Sequence, residues 1–181
     1  LHEKHPNVIF YGEGWTMQTD VTKGGYAMTT QAYSTKTPKF AFFNDTIRDL
    51  LNGSVFSDTE PGYVTGAVEQ EENLIKCWMG AAPWCKTPSQ TVNYASCHDN
   101  NTLFDRITMT LPEVSEADRI KMNNLAAAIY MTAEGIPFMQ AGEEMLRTKA
   151  KGDGTYEHNS YSSPDSINSI KWDTLDNDAY K

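Results

Sequence analysis

A parallel α/β architecture of the (β/α)-barrel kind is what this 181-residue chain predicts. Three observations carry it. Short apolar runs opening at Val8, Phe40, Val92 and Ile136 have the unbroken hydrophobic character of strands covered on both faces. Segments with helical spacing fall between them, which is the alternation of parallel β/α units. Each run also ends on carboxylates, at Glu13, Asp45, Asp99 and Glu143-Glu144. The carboxyl ends of strands are where a barrel builds its active-site rim.

Element by element, residues 1–7 read as the tail of a helix broken by Pro6 and Asn7. Residues 8–12 form the first strand, and the polar stretch 14–37, rich in Thr, Gly and Tyr, reads as a rim loop. The second strand is 40–44. Ile47, Leu50 and Leu51 give residues 45–51 a helical face, and Gly, Ser, Pro and Asp make 53–66 a loop. Residues 67–79 are predicted helical, with Val68, Leu74, Ile75 and Trp78 facing the core. The third strand starts at 92–95. Ser115 and Asp118 stand at capping-box spacing before a helix over 117–134 whose face is Ile120, Leu125, Ala128 and Ile129, and Gly135 ends it. Residues 136–140 are the fourth strand, 149–163 a polar loop and 166–172 a short helix. No internal repeat or low-complexity tract is visible.

Composition narrows the function. A formal charge of −9 disfavours a nucleic-acid partner, and the basic residues are scattered. No apolar stretch approaches the roughly 18 residues of a membrane span. A neutral substrate such as a sugar suits this charge better. Cys77, Cys85 and Cys97 cannot close a disulfide set; Cys77 and Cys85 could pair, but with no framework around them free thiols are expected. Compartment stays open: cytoplasmic usage fits the thiols best, and secreted or surface display is not ruled against. The chain opens on Leu1 and is expected to be an internal slice of a longer protein.

Two motifs carry chemistry. Glu13 stands between Gly12 and Gly14, two residues before Trp15. Glycines let the backbone turn sharply and a ligand approach. An adjacent indole would lower local polarity and keep the carboxyl protonated, ready as a general acid. The alternative is a strand-end Glu that caps a turn. His98-Asp99-Asn100-Asn101 follows the third strand with donors and acceptors suited to a hydroxyl-rich ligand. Its alternative is a hydrogen-bonded turn in which Asp99 or Asn100 caps the next helix. A serine-hydrolase triad lacks its third partner. The HExxH spacing of a zinc site is absent from His2-Glu3-Lys4-His5, so no catalytic metal is expected. Gly152-Asp153-Gly154 with Glu157 could touch calcium but lacks the ligand count of an EF-hand loop. Aromatics crowd the loops, Trp15, Tyr26, Tyr33, Tyr63, Trp84, Tyr156 and Tyr161 among them. They could pack beneath the loops or stack on sugar rings.

Taken together, these segments resemble the α-amylase superfamily, and most closely its type I pullulanases. Tyr11-Gly12-Glu13-Gly14-Trp15 is similar to the region carrying that family's acid/base Glu. Tyr94-Ala95-Ser96-Cys97-His98-Asp99-Asn100 is similar to the region carrying its transition-state-stabilising Asp and preceding His. Residues 42–49 and 135–144 resemble the sixth and eighth strands, and Asn159-Ser160-Tyr161 with Ser163-Pro164-Asp165 the loop after the eighth. The family's Arg beyond that loop has no counterpart, with Ser169 near its place. The resemblance implies a partial (β/α)8 TIM barrel, strands five to eight with their helices. Residues 1–181 would be the C-terminal half of the catalytic domain, without the N-terminal half-barrel and the C-terminal β-sandwich. It implies retaining hydrolysis of α-1,6 linkages in pullulan, glycogen or starch-type α-glucans, without a required cofactor and with a structural calcium allowed. Glu13, Asp99 and His98 would be catalytic. Trp15, Asp45 and Arg48 would shape the acceptor side and Asp165 with Asn168 the donor side, and Asn100 and Tyr161 would also bind sugar. The family's nucleophilic Asp would lie upstream of this chain, leaving it inactive alone. Open barrel edges would favour a homodimer. The alternatives are a non-catalytic α-glucan-binding fragment and an isoamylase or neopullulanase type of enzyme.

Overall fold

The computed structural model describes residues 2–17 and 20–177. Four strands form one parallel sheet in the order β1 (Phe10–Gly12), β2 (Phe40–Phe43), β3 (Thr91–Asn93) and β4 (Ile136–Pro137). Sequential neighbours with parallel pairing require a crossover after every strand, which is the winding of a (β/α) barrel. The register aligns Tyr11 with Ala41, Phe43 with Val92, and Asn93 with Pro137. Among the described residues, β1 and β4 each pair on one side only.

The crossovers carry α1 (Asp45–Asn52), α2 (Glu71–Trp78), α3 (Leu103–Thr110) and α4 (Glu116–Thr132), and α5 (Asp165–Asn168) follows the last strand. The core between helices and sheet holds Ile47, Leu51, Leu74, Leu103, Ile107, Ala126 and Tyr130. Ser115 caps α4, its hydroxyl accepting from the Asp118 N–H at 3.2 Å, at the spacing the sequence indicates. A separate aromatic cluster ties the sheet together: Phe43 meets Tyr94 and Phe138 edge-on, both with centroids 5.0 Å apart.

Several expectations need correction. Residues 2–7 form turns rather than the end of a helix, and Leu1 lies outside the described residues. The rim loop 14–37 contains two short 3-10 turns, Asp20–Gly24 and Gln31–Lys36; residues 18 and 19 of it lie outside the described residues. The helix predicted from residue 67 begins only at Glu71, after a 3-10 turn at Val68–Gln70; its buried pair is Leu74 with Cys77, whereas Ile75 and Trp78, and Val68 in the turn, are exposed. Trp78 instead donates from Nε1 to the Thr132 hydroxyl at 3.0 Å. In α4 the buried positions are Asn123, Ala126 and Tyr130, while Leu125 is exposed. Polar groups took the inner face because partners wait there: Tyr130 donates to Glu143 Oε1 at 2.6 Å, and Asn123 reaches the Glu143 carbonyl. The short helix near the end is α5, followed by a 3-10 turn at Trp172–Asp176. All three cysteines are free, and burial pushes the Cys77 thiol up to about 11.

Candidate active site

The rim is built from the carboxyl ends of β1, β2 and β3. After β1 the chain turns over Phe42. Gly14 stands at φ +77°, and a Cβ there would lie 2.6 Å from the Phe42 ring. Only glycine fits that crossing, which is why Glu13 is followed by one. Gln31 then fastens this turn to β2. Its N–H donates to the Gly14 carbonyl at 3.0 Å, and its side-chain amide donates to the Phe43 carbonyl and to Asp45 Oδ1.

Asp45 and Arg48 leave the first turn of α1 three residues apart, hence on one face. Asn44 caps that helix with a 3.3 Å bond from the Ile47 N–H. The Arg48 guanidinium donates to Asp49 at 2.7 Å and to the Tyr94 hydroxyl at 3.0 Å. Burial works against its charge, but these partners outweigh burial and the net shift is upward. Burial likewise pushes the Tyr94 hydroxyl well up, so it stays a neutral donor and acceptor.

Beyond β3, Asn100 occupies the left-handed region at φ +59°, a conformation Asn tolerates better than most side chains. The cap of α3 is Thr102, accepting from the Asp105 N–H, so neither Asp99 nor Asn100 serves there. That frees the His98-Asp99 pair to face outward. Its members lie 3.4 Å apart, both exposed.

These pieces meet. A ligand atom from each of Glu13, His98 and Asp99 lies within 4.8 Å of the other two. The three border a cleft of about 250 Å³, whose walls include Trp15, Phe43, Asp45, Arg48, Tyr94 and Asn100. Seven of the residues singled out from the sequence therefore share one cavity: Glu13, Trp15, Asp45, Arg48, His98, Asp99 and Asn100. Two carboxylates and an imidazole could hold a divalent cation, but all three are exposed, as acidic groups commonly are without an ion. A lining that combines aromatic rings with carboxylates, a guanidinium and an amide suits a sugar ring. Glu13 itself is exposed, so the enclosure by Trp15 that the sequence suggests is not in place.

Three sequence-predicted contacts do not reach this cleft. Tyr161 is 86% exposed and lies outside it. The Asn168 amide donates to the Ser160 and Ser163 carbonyls at 2.6 and 3.0 Å, so it closes a turn. Asp165 opens α5, away from the cleft walls. The suggested calcium loop is also committed elsewhere. Asp153 accepts from the Thr155 N–H and hydroxyl, and Glu157 faces Lys151.

The structure adds residues that the motifs did not indicate. Val55 and Phe56 line the cleft from the loop after α1, with Phe56 94% exposed. Arg106 of α3 grips that loop, donating to the carbonyls of Asn52, Ser54, Ser57 and Glu60. The signal for Phe56 was available as an aromatic in a polar Gly/Ser/Asp loop; that for Gln31 was not.

No family model matches the chain. It is 34% identical to the pullulanase of Bacillus subtilis (strain 168) over 174 residues, 93% of this chain and 23% of that protein. It is 28% identical to the chloroplastic pullulanase 1 of Arabidopsis thaliana, covering 90% of this chain and 21% of the relative. The chain thus spans under a quarter of the length of these curated relatives. Among solved structures, pullulanase from Bacillus acidopullulyticus superposes with a TM-score of 0.87 at 38% identity, over 99% of this chain and 22% of that one. Pullulanase from Anoxybacillus sp. LM18-11 in complex with maltotetraose gives 0.86 at 38% identity, over 96% and 24%. The parallel sheet and its helices are accordingly part of a (β/α)8 barrel.

Proposed function

This chain is a pullulanase homologue, part of the catalytic domain of an α-amylase family enzyme, and from that premise we propose that its cleft takes an α-glucan. Glu13 and Asp99 act on one glucosyl unit as two members of a retaining glycoside hydrolase site. The convergence of Glu13, His98 and Asp99 within 4.8 Å supports this reading more than any other observation. Glu13 protonates the departing glycosidic oxygen and then takes a proton from the incoming water. Asp99 holds hydroxyls of the distorted ring, and His98 donates beside it. Trp15, Phe56, Asp45, Arg48 and Asn100 position the neighbouring units, while Tyr161, Asp165 and Asn168 would meet sugar only at a distance from this cleft. The bond cleaved is the α-1,6 branch linkage of pullulan-like or starch-type glucans.

In this reading the strands are the fifth to eighth of the barrel, and the covalent nucleophile belongs to its other half. The chain alone is then inactive. A second reading has its own observation. Retaining enzymes hold acid and nucleophile about 5–5.5 Å apart, and Glu13 and Asp99 approach within 4.8 Å. Asp99 would in that case be the nucleophile itself. Reducing-sugar release from pullulan by the purified chain separates them. We expect none; release abolished by Glu13→Gln and by Asp99→Asn would overturn the first reading in favour of the second. A panel of pullulan, glycogen and amylose distinguishes a debranching enzyme from an isoamylase or neopullulanase type.

Among the described residues, the one-sided pairing of β1 and β4 leaves backbone donors and acceptors for another strand to pair with. We propose that two copies pair through these edges. Sedimentation should show a dimer that dissociates on dilution, and a monomer at every concentration would contradict this.

A further inference from the structure

The turn that bears His98 and Asp99 rests on a single buried lysine. Lys149 is 1% exposed, and its Nζ donates to the carbonyl oxygens of His98 at 2.7 Å and Asn100 at 2.8 Å. The Lys149 N–H donates to Asp105 Oδ2 at 2.7 Å, and the Thr148 hydroxyl bonds the other oxygen of that carboxylate. Asp105 is fully buried in the first turn of α3. The loop after β4 is thereby anchored to α3 from one side while it grips the β3 turn from the other.

Burying an ammonium is costly, and two neutral carbonyls return only part of its hydration. A turn needing mere closure could be held by an amide at lower cost. The placement of a full charge suggests that its field is used. Burial and the nearby Arg147 both lower the Lys149 pKa, while Cys97, Asp105 and Asp99 act in the opposite sense. A second tie supports the same turn: Ser96 donates to Glu143 Oε2 at 2.6 Å, so both ends of residues 96–100 are fixed by the loop after β4.

We propose that Lys149 is a positioning residue, its ammonium fixing the main chain of residues 98–100 so that His98 and Asp99 meet Glu13. This rests on the same site as the proposed function, but the clamp can be tested without any sugar. Lys149→Ala removes the equivalent of one propylammonium ion. In the intact chain, NMR should show hydrogen exchange at residues 98–101 accelerated about tenfold or more, with the α4 amides unchanged. The nuclear Overhauser contact between the His98 ring and the Glu13 side chain should weaken. Added propylammonium should restore both, whereas propanol, which fills the space without the charge, should not. Rates unaffected by the substitution, or equal rescue by propanol, would overturn the proposal. Should the alanine variant fail to fold, Lys149→Met fills the space and must show the same faster exchange. Exchange that responds as expected while the parent chain shows no Glu13–His98 contact would overturn the site reading and leave the clamp standing.

Discussion

Glu143 shows how a single residue can support the site from a distance. Its carboxylate is buried and accepts from Ser96 and Tyr130, both at 2.6 Å, linking the β3 turn to α4. Burial raises its pKa above the usual 4.5, and the two hydroxyl donors offset only part of that. A carboxyl whose folded pKa lies above its unfolded one holds its proton more tightly in the native state. Its contribution to stability is present below the unfolded pKa and is lost as pH rises through the folded one. Glu143→Gln keeps an acceptor but cannot titrate. The stability of the parent minus that of the variant should therefore fall as pH rises above the ordinary carboxyl value of 4.5. Denaturant unfolding as a function of pH checks it; a difference that is flat or rises with pH would contradict the assignment. Nothing in the string Gly142-Glu143-Glu144 marked which of the two acids is buried. Glu143 answers to Ser96 and Tyr130, which are remote in sequence, and periodicity carries no record of such partners.

The strands were legible as elements and less so in their detail. All four lie where apolar runs end in acids, yet β4 spans only Ile136–Pro137. Asn44 and Asn93, fully buried between apolar neighbours, carry an order that hydrophobic patterning cannot express. Asn44 Nδ2 donates to Asn93 Oδ1 at 2.9 Å, and Asn93 Nδ2 donates to the Glu134 carbonyl at 2.9 Å. This relay crosses the sheet from the cap of α1 to the end of α4. Asn93→Ala would leave the buried Asn44 amide without this acceptor, a cost of roughly 1–3 kcal/mol. Thermal and denaturant unfolding should show at least about 1 kcal/mol of destabilisation. A change no larger than the ~0.5 kcal/mol typical of surface substitutions would show the relay to be dispensable. The helix α3 was the element least visible in advance. Its buried Asp105 and Arg106 interrupt the apolar face, and their hydrogen-bond partners lie in loops some 43 to 54 positions away.

At the scale of the whole molecule, the parallel order of the strands brings three rim turns together. Glu13 and Asp99 are separated by two intervening crossovers, yet they border one cleft. That convergence was readable because acids at the ends of parallel strands must meet at one rim. The sugar contacts Tyr161, Asp165 and Asn168 were placed by resemblance alone, and this cleft does not include them. The central claim is that the cleft between Glu13 and Asp99 is where an α-glucan sits. Titrating maltohexaose into the isotopically labelled chain, followed by NMR, tests it most directly. Chemical-shift changes should saturate in the millimolar range or below, about −4 kcal/mol or stronger. They should cluster at Trp15, residues 43–48, Val55, Phe56 and residues 94–100, and vanish in Phe56→Ala with Trp15→Ala. Changes centred elsewhere on the surface, or none at about 10 mM sugar, would contradict the account.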